Sequence, residues 1–337
     1  MWLDIFGLII SLCIILISCE LFTNGIEWLG KKLKLGEGVV GSIFSAVGTC
    51  LPETLVPIIA ILFSGKEGNK ANSVEVGIGA IMGAPFMLST LAFFVTGISV
   101  LIFWKRRKTG MFMHVKTNIL SRDIGFFIIV YSIGVSATFI PEGMAKHFLA
   151  IFLIACYIYY VILTVQRDNI GHGELEPLYV VRFLNLKPNI AIILLQIAIA
   201  LSGIIFGANL FVLNLNEVSE VFGISALVLS LIITPIATEL PEKFNSIIWI
   251  RKKKDTLALG NISGAMVFQS CIPVSIGIIF TSWELEGEAL MSAVLAISSA
   301  ALTYLWMKIK GKLDPIPLLA GGAFYVIYIF YLVLTKF

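Results

Sequence analysis

The sequence predicts an all-α integral membrane protein of ten transmembrane helices, and three observations lead there. Hydrophobic residues make up 58% of the 337 and charged residues 13%, against roughly 45–50% and about 25% in soluble domains. The mean hydropathy is +0.97. Apolar runs long enough to cross a bilayer recur along the whole chain, separated by short charged or Pro/Gly-rich breaks. Ten spans of about 20 to 25 residues use about two-thirds of such a chain and leave no room for a soluble catalytic domain.

The spans fall near 4–30, 37–64, 73–104, 123–140, 147–166, 188–215, 224–250, 256–282, 288–307 and 315–335. The first has Asp4 rather than a basic segment in front of it and is too long for a signal-peptide core, so it is expected to stay as a span. Lys and Arg test the map, because cytoplasmic loops carry them in excess. The odd-numbered loops hold 19 of the 24, including Lys105 to Lys108 and Arg251 to Lys254; the other side is acidic, with Glu217, Glu220, Glu284, Glu286 and Glu288. This places both termini outside the cytoplasm and the chain in a cell (inner) membrane. Cys13, Cys19, Cys50, Cys156 and Cys271 all lie in apolar segments without zinc or disulfide spacing.

The chain carries an internal duplication. Glu20-Leu21-Phe22 leads to Thr49-Cys50-Leu51-Pro52-Glu53, and Asn209-Leu210-Phe211 leads to Thr238-Glu239-Leu240-Pro241-Glu242, at a constant offset of 189. Gly79-x-x-x-Gly83 matches Gly260-x-x-x-Gly264 at an offset of 181. The organisation is therefore a first five-helix half over 1–166, a cytoplasmic connecting loop over 167–187 and a second half over 188–337. Five spans per half is an odd number, so the second half enters the membrane inverted. Inverted repeats place a site near the midplane, where helices are broken, and support alternating access.

Glu53 and Glu242 lie mid-span, where an ionised carboxylate is costly and marks function. Pro52 and Pro241 each remove a backbone donor and release a main-chain oxygen beside the carboxylate. Thr49 and Thr238, one turn earlier, share a helix face with their Glu. Two carboxylates and released carbonyls suit a hard divalent cation. Glu20 aligns with neutral Asn209 and is expected to be a structural, hydrogen-bonded group. The glycine motifs are expected to allow close helix packing.

These residues resemble the sodium/calcium exchanger family of the cation/Ca2+ antiporter superfamily, whose two repeats carry G-T-S-L-P-E followed by G-N-x-x-G-S. Here the copies read Gly48-Thr49-Cys50-Leu51-Pro52-Glu53 and Ala237-Thr238-Glu239-Leu240-Pro241-Glu242, with Gly260-Asn261-Ile262-Ser263-Gly264-Ala265 downstream. The resemblance implies a ten-helix exchanger fold in two inverted repeats, with Glu53 and Glu242 as central Ca2+ ligands and Thr49 and Thr238 contributing backbone oxygens. The family's serine after the threonine is Cys50 in one copy and Glu239 in the other. Ala84 and Ala265 replace the later serine, and Leu88 and Gln269 replace its Asn or Asp.

The resemblance supports the divalent site better than the sodium sites. Cys50, Glu239 and Gln269 are the candidate coupling positions. Glu239 shares a helix face with Glu242, and repulsion among three ionised carboxylates favours a bound proton there. Lys243 either supplies a tethered cation or snorkels to the interface. The function implied is a secondary antiporter that exports Ca2+, or a related divalent cation, in exchange for Na+ or H+. The alternative is a transporter of the same fold for another cation or a small organic substrate, or an uncoupled uniporter. Lipid and inorganic cations are the expected partners. No cofactor, nucleic acid or obligate protein partner is expected, the net charge being only +3. Catalysis is not expected either, since there is no H-E-x-x-H, G-x-S-x-G or P-loop, and His114, His147 and His172 fall in or near loops. The connecting loop has no EF-hand spacing for a Ca2+ sensor.

Overall fold

A computed structural model describes residues 2–33, 51–63, 70–107, 110–167, 177–180 and 189–336, with the side chains of 2, 51–52, 70, 106, 165–167, 240–245 and 336 left aside. The described chain is helical: α1 (Trp2–Lys32), α2 (Leu51–Leu62), α3 (Lys70–Met87), α4 (Phe93–Phe103), α5 (Thr117–Ser136), α6 (Met144–Arg167), α7 (Ile190–Phe222), α8 (Ala226–Arg251), α9 (Asp255–Phe280), α10 (Gly287–Lys310) and α11 (Pro315–Lys336). A π-helical turn, Leu88–Ala92, joins α3 to α4. Among the described residues, eight segments are long and apolar enough to cross a bilayer: α1, α3 with α4, α5, α6, α7, α9, α10 and α11. The remaining two predicted spans meet the described residues as shorter apolar stretches, Glu53–Leu62 in α2 and Ala226–Glu239 in α8.

Two helices differ from the sequence expectation for identifiable reasons. The fourth predicted span starts at 123, but α5 begins at Thr117. Charge does not stop it, because Arg122 and Asp123 pair at 2.9 Å. The sixth ends at 215, but α7 continues to Phe222 through Asn216, Glu217 and Glu220. It stops at Gly223, whose φ of 64° lets its amide bond back to the Glu220 and Ser219 carbonyls. The expected break at Pro241 is also absent from the backbone, since α8 runs unbroken from Ala226 to Arg251. Proline nevertheless leaves the carbonyl four residues earlier without its helical donor.

α2, α3, α8 and α9 form the centre of the molecule, and the outer helices are exchanged between halves around it. α5 and α6 of the first half pack on α9 of the second, whereas α10 and α11 of the second half pack on α3 and α4 of the first. α1 and α7 pair with each other. Their apolar cluster, with Ile15, Ile193, Ile204 and Phe211 fully buried, also takes in Val56, Ile59 and Ala60 of α2 and Val76 of α3, and it lies beside the larger cluster under the other helices.

α3 and α8 meet backbone to backbone. A Cβ on Gly79 would lie 2.3 Å from the Leu227 oxygen, and one on Gly83 2.2 Å from the Leu231 oxygen. The glycine motif of the first half thus serves close packing, as expected from small-x-x-x-small spacing. Gly260 and Gly264 have no atom of the described residues within 4 Å of such a Cβ. The 189 offset carries Leu227 and Leu231 to Gly38 and Ser42, which lie outside the described residues. At the end of the bundle, Arg107 makes a bidentate pair with Asp255 in the first turn of α9, and its Nη1 also donates to the Ile250 oxygen at 3.1 Å. The His114 amide donates to the same carboxylate at 2.8 Å.

Gly83→Ala should destabilise the protein by about 1–3 kcal/mol, because the new methyl meets backbone that cannot rotate away. Thermal unfolding in detergent reads this directly, and an unchanged midpoint would contradict the α3–α8 contact.

Candidate functional site

The central four helices bring together polar groups that an apolar environment tolerates only with partners. Glu53, in the first turn of α2, is 3% exposed. On α8, Thr238 and Glu239 are 0% and 2% exposed, and Gln269 on α9 is fully buried. Gln269 Nε2 donates to Glu239 Oε1 at 3.4 Å. Gln269 Oε1 has no hydrogen-bond partner among the described residues. An amide whose donor faces a carboxylate and whose oxygen stays available offers the acceptor chemistry a cation needs.

A ladder of hydroxyls fixes how α8 presents this pair. Ser230, Thr234 and Thr238 recur every four residues and so share one face. Ser230 Oγ donates to the Val76 oxygen of α3 at 2.7 Å and lies 3.0 Å from Thr234 Oγ1, while Thr238 Oγ1 donates to the Thr234 oxygen at 2.9 Å. The Thr238 hydroxyl is therefore turned back onto its own helix. Glu239, the next residue around the helix, is directed to Gln269 instead.

Thr49 and Cys50 lie outside the described residues, as do the side chains of Glu242 and Lys243. Glu53, Thr238, Glu239 and Gln269 are thus the predicted site residues whose surroundings are described, and of these the structure pairs Glu239 with Gln269. The described residues contain no cluster of three or more His, Cys, Asp or Glu side chains able to hold a metal. The halves differ in polarity at matched positions, since Leu88 of the first half is fully buried where the second half has Gln269.

Three features escape a reading of motifs. Pro57 and Pro273 stand four residues after Glu53 and Gln269, so neither the Glu53 nor the Gln269 carbonyl meets a helical amide at that position. The signal was available in the spacing. Asp123 of α5 accepts from Ser263 Oγ at 3.0 Å, behind the Gly260–Gly264 segment, and from Arg122 Nε at 3.0 Å. The guanidinium stacks over Tyr160 of α6 at 5.4 Å. No local pattern announces a contact 140 residues apart in sequence.

This arrangement coincides with a sequence match that covers both halves. The profile of the sodium/calcium exchanger protein family matches residues 3–166 and again residues 192–337. The chain belongs to this family. It is a multi-pass membrane transporter in a family of cation exchangers. Inner membrane protein YrbG of Escherichia coli is 22% identical over 326 residues, 95% of this chain and 94% of that protein. The crystal structure of the H+/Ca2+ exchanger CAX superposes with a TM-score of 0.71 at 16% identity, over 98% of this chain and 86% of that one. The sodium-calcium exchanger NCX_Mj, soaked with 100 mM Na+ and 10 mM Sr2+, gives 0.57 at 21% identity, over 97% of both chains. These likenesses establish the exchanger fold.

Gln269→Leu removes the amide that faces Glu239 while nearly keeping side-chain volume, and leaves a buried carboxylate short of a donor. A buried charged acceptor stripped of such a partner loses about 1.5–3 kcal/mol, so isothermal titration with Ca2+ should show weaker binding by at least about tenfold. Unchanged affinity would place Gln269 outside the site.

Proposed function

We propose that the protein is a secondary antiporter that exports Ca2+, or a closely related divalent cation, in exchange for a monovalent cation by alternating access. The observation that carries the reading is the burial of Glu53, Glu239 and Gln269 on the central helices of a chain whose two halves each match the exchanger family. In this reading the ten spans form two inverted five-helix halves, divided by the loop over 167–187, with both termini outside. The exchange of α5–α6 and α10–α11 between halves supports it. Glu53 and Glu242 supply the central carboxylates and Thr49 and Thr238 main-chain oxygens, at the midplane where each half contributes equally. α1 and α7 pack more extensively on each other than on any central helix, which supports a pair that moves against the remaining helices to open the site alternately to each side.

H+ is the favoured coupling ion. Glu239 stands where the family has a serine, and it is a buried carboxylate with an amide donor rather than a neutral hydroxyl ligand. Ala84, 1% exposed, and Ala265, 8% exposed, carry no hydroxyl with which to build sodium sites. The same losses favour a second reading, in which the fold carries another cation with altered or no coupling. Counter-ion dependence separates the two.

Glu53→Gln and Glu242→Gln should each reduce Ca2+ transport in proteoliposomes to the protein-free background, with unchanged helicity by circular dichroism. Full activity in either sinks the central-site reading. Glu239→Ser, which restores the family residue, should displace the pH profile of transport, and an unmoved profile removes Glu239 from proton carriage.

A further inference from the structure

Residues 177–180 of the segment between the halves dock against the α1–α7 pair. Asn24, near the end of α1, and Gln196, near the start of α7, are 5% and 1% exposed. Gln196 Nε2 donates to Asn24 Oδ1 at 3.0 Å and to the Leu21 oxygen at 2.8 Å. Pro177–Val180 completes this polar node. The Tyr179 amide donates to Asn24 Oδ1 at 3.1 Å, the Val180 amide to Gln196 Oε1 at 3.0 Å, and Asn24 Nδ2 to the Pro177 oxygen at 3.4 Å. Tyr179 Oη donates to Glu20 Oε1 at 2.9 Å. Leu178 between them is 1% exposed and belongs to the apolar core that α1 and α7 share.

The duplication shows that helix packing alone does not require this node. The 189 offset carries Asn24 to Leu213 and Gln196 back to Gly7, so the matched positions at the other end of the helix pair carry no amide. There Gly7 is closed against Asn214 by direct contact. The node is an addition to one end of a duplicated frame. Asn24 both donates to and accepts from residues 177–180, while Gln196 accepts from them and donates to α1, a set of bonds that a surface crossing would not need.

We infer that Pro177–Val180 is a clip that fastens the ends of α1 and α7 to each other and to the inter-half loop, so that the two helices move as one body and the loop governs their movement. The Lys/Arg asymmetry assigns this end to the cytoplasm. The inference rests on the alternating-access reading above. It places control of turnover in residues remote from the cation ligands, since α1 and α7 carry none of Glu53, Thr238, Glu239 or Gln269.

The test uses the full-length protein in proteoliposomes, with Gln196→Leu as the main variant and Tyr179→Phe as a milder one that spares the buried node. Hydrogen–deuterium exchange reports local opening, and initial Ca2+ fluxes over a concentration series separate turnover from binding. Opening of the clip should raise deuterium uptake over 177–180 and at the adjoining ends of both α1 and α7, by about threefold or more in Gln196→Leu. Maximal flux should change by about threefold while half-saturating Ca2+ stays within about twofold, with smaller changes of the same sign in Tyr179→Phe. Uptake raised over 177–180 alone, with both flux parameters unchanged, overturns the clip. Loss of thermal stability with unchanged flux per folded molecule overturns it also. If the unsubstituted protein moves no cation under any gradient, the transport reading fails, and the deuterium pattern still decides whether the loop holds the two helices.

Discussion

A carboxylate inside a bilayer has no bulk water to solvate it, so every other feature of the centre must supply partners or be arranged around those that do. Glu53 stands on the short α2 and Glu239 on the longer α8, each beside or near a proline, and both are buried. α8 reaches them by turning its Ser230–Thr234–Thr238 face onto α3, where the absence of side chains at Gly79 and Gly83 lets the backbones meet. That contact fixes the rotation of α8 and so directs Glu239 at Gln269. Prolines four residues beyond Glu53 and Gln269 add main-chain oxygens without a helical amide at that position. Hydroxyl ladder, glycine contact and proline spacing all serve one requirement, which is polar partners in an apolar medium.

The two halves share an ancestry of sequence but not a balance of chemistry. Gln269 answers Leu88, Glu239 answers Cys50, and Glu20 answers Asn209. In the function proposed above, a symmetric frame with an asymmetric lining lets the two cation roles fall to different residues, the divalent charge to the matched glutamates and the coupling charge to the unmatched one. The same asymmetry appears at the ends of α1 and α7, where Asn24 and Gln196 answer Leu213 and Gly7. Departures from the repeat therefore mark the places where this chain has acquired its own properties.

Much of this was legible in the sequence, and the limits have physical causes. Spans were legible because lipid imposes length and apolarity on each one separately. The duplicated Thr-x-Leu-Pro-Glu segments were legible because the offset repeats, and Gly79 and Gly83 because small residues every four positions face one helix neighbour. Glu20 was expected to be structural, and Tyr179 accordingly bonds to it. The start of α5 was not legible, since a charge at 122 looks like a loop until its partner at 123 is counted. Nor was the end of α7, where polar residues continue a helix that only Gly223 stops. Arg107–Asp255, Asp123–Ser263 and the docking of 177–180 join residues far apart in the chain, and no local pattern encodes such pairings.

The central claim is coupled cation exchange through this interior, and Ca2+ uptake into proteoliposomes of the purified protein tests it most directly. Uptake would be compared under an imposed pH gradient, an imposed Na+ gradient and neither. The account predicts uptake above background under the pH gradient and none without a counter-ion gradient. Equal uptake under all three conditions, or no uptake under any, would contradict it.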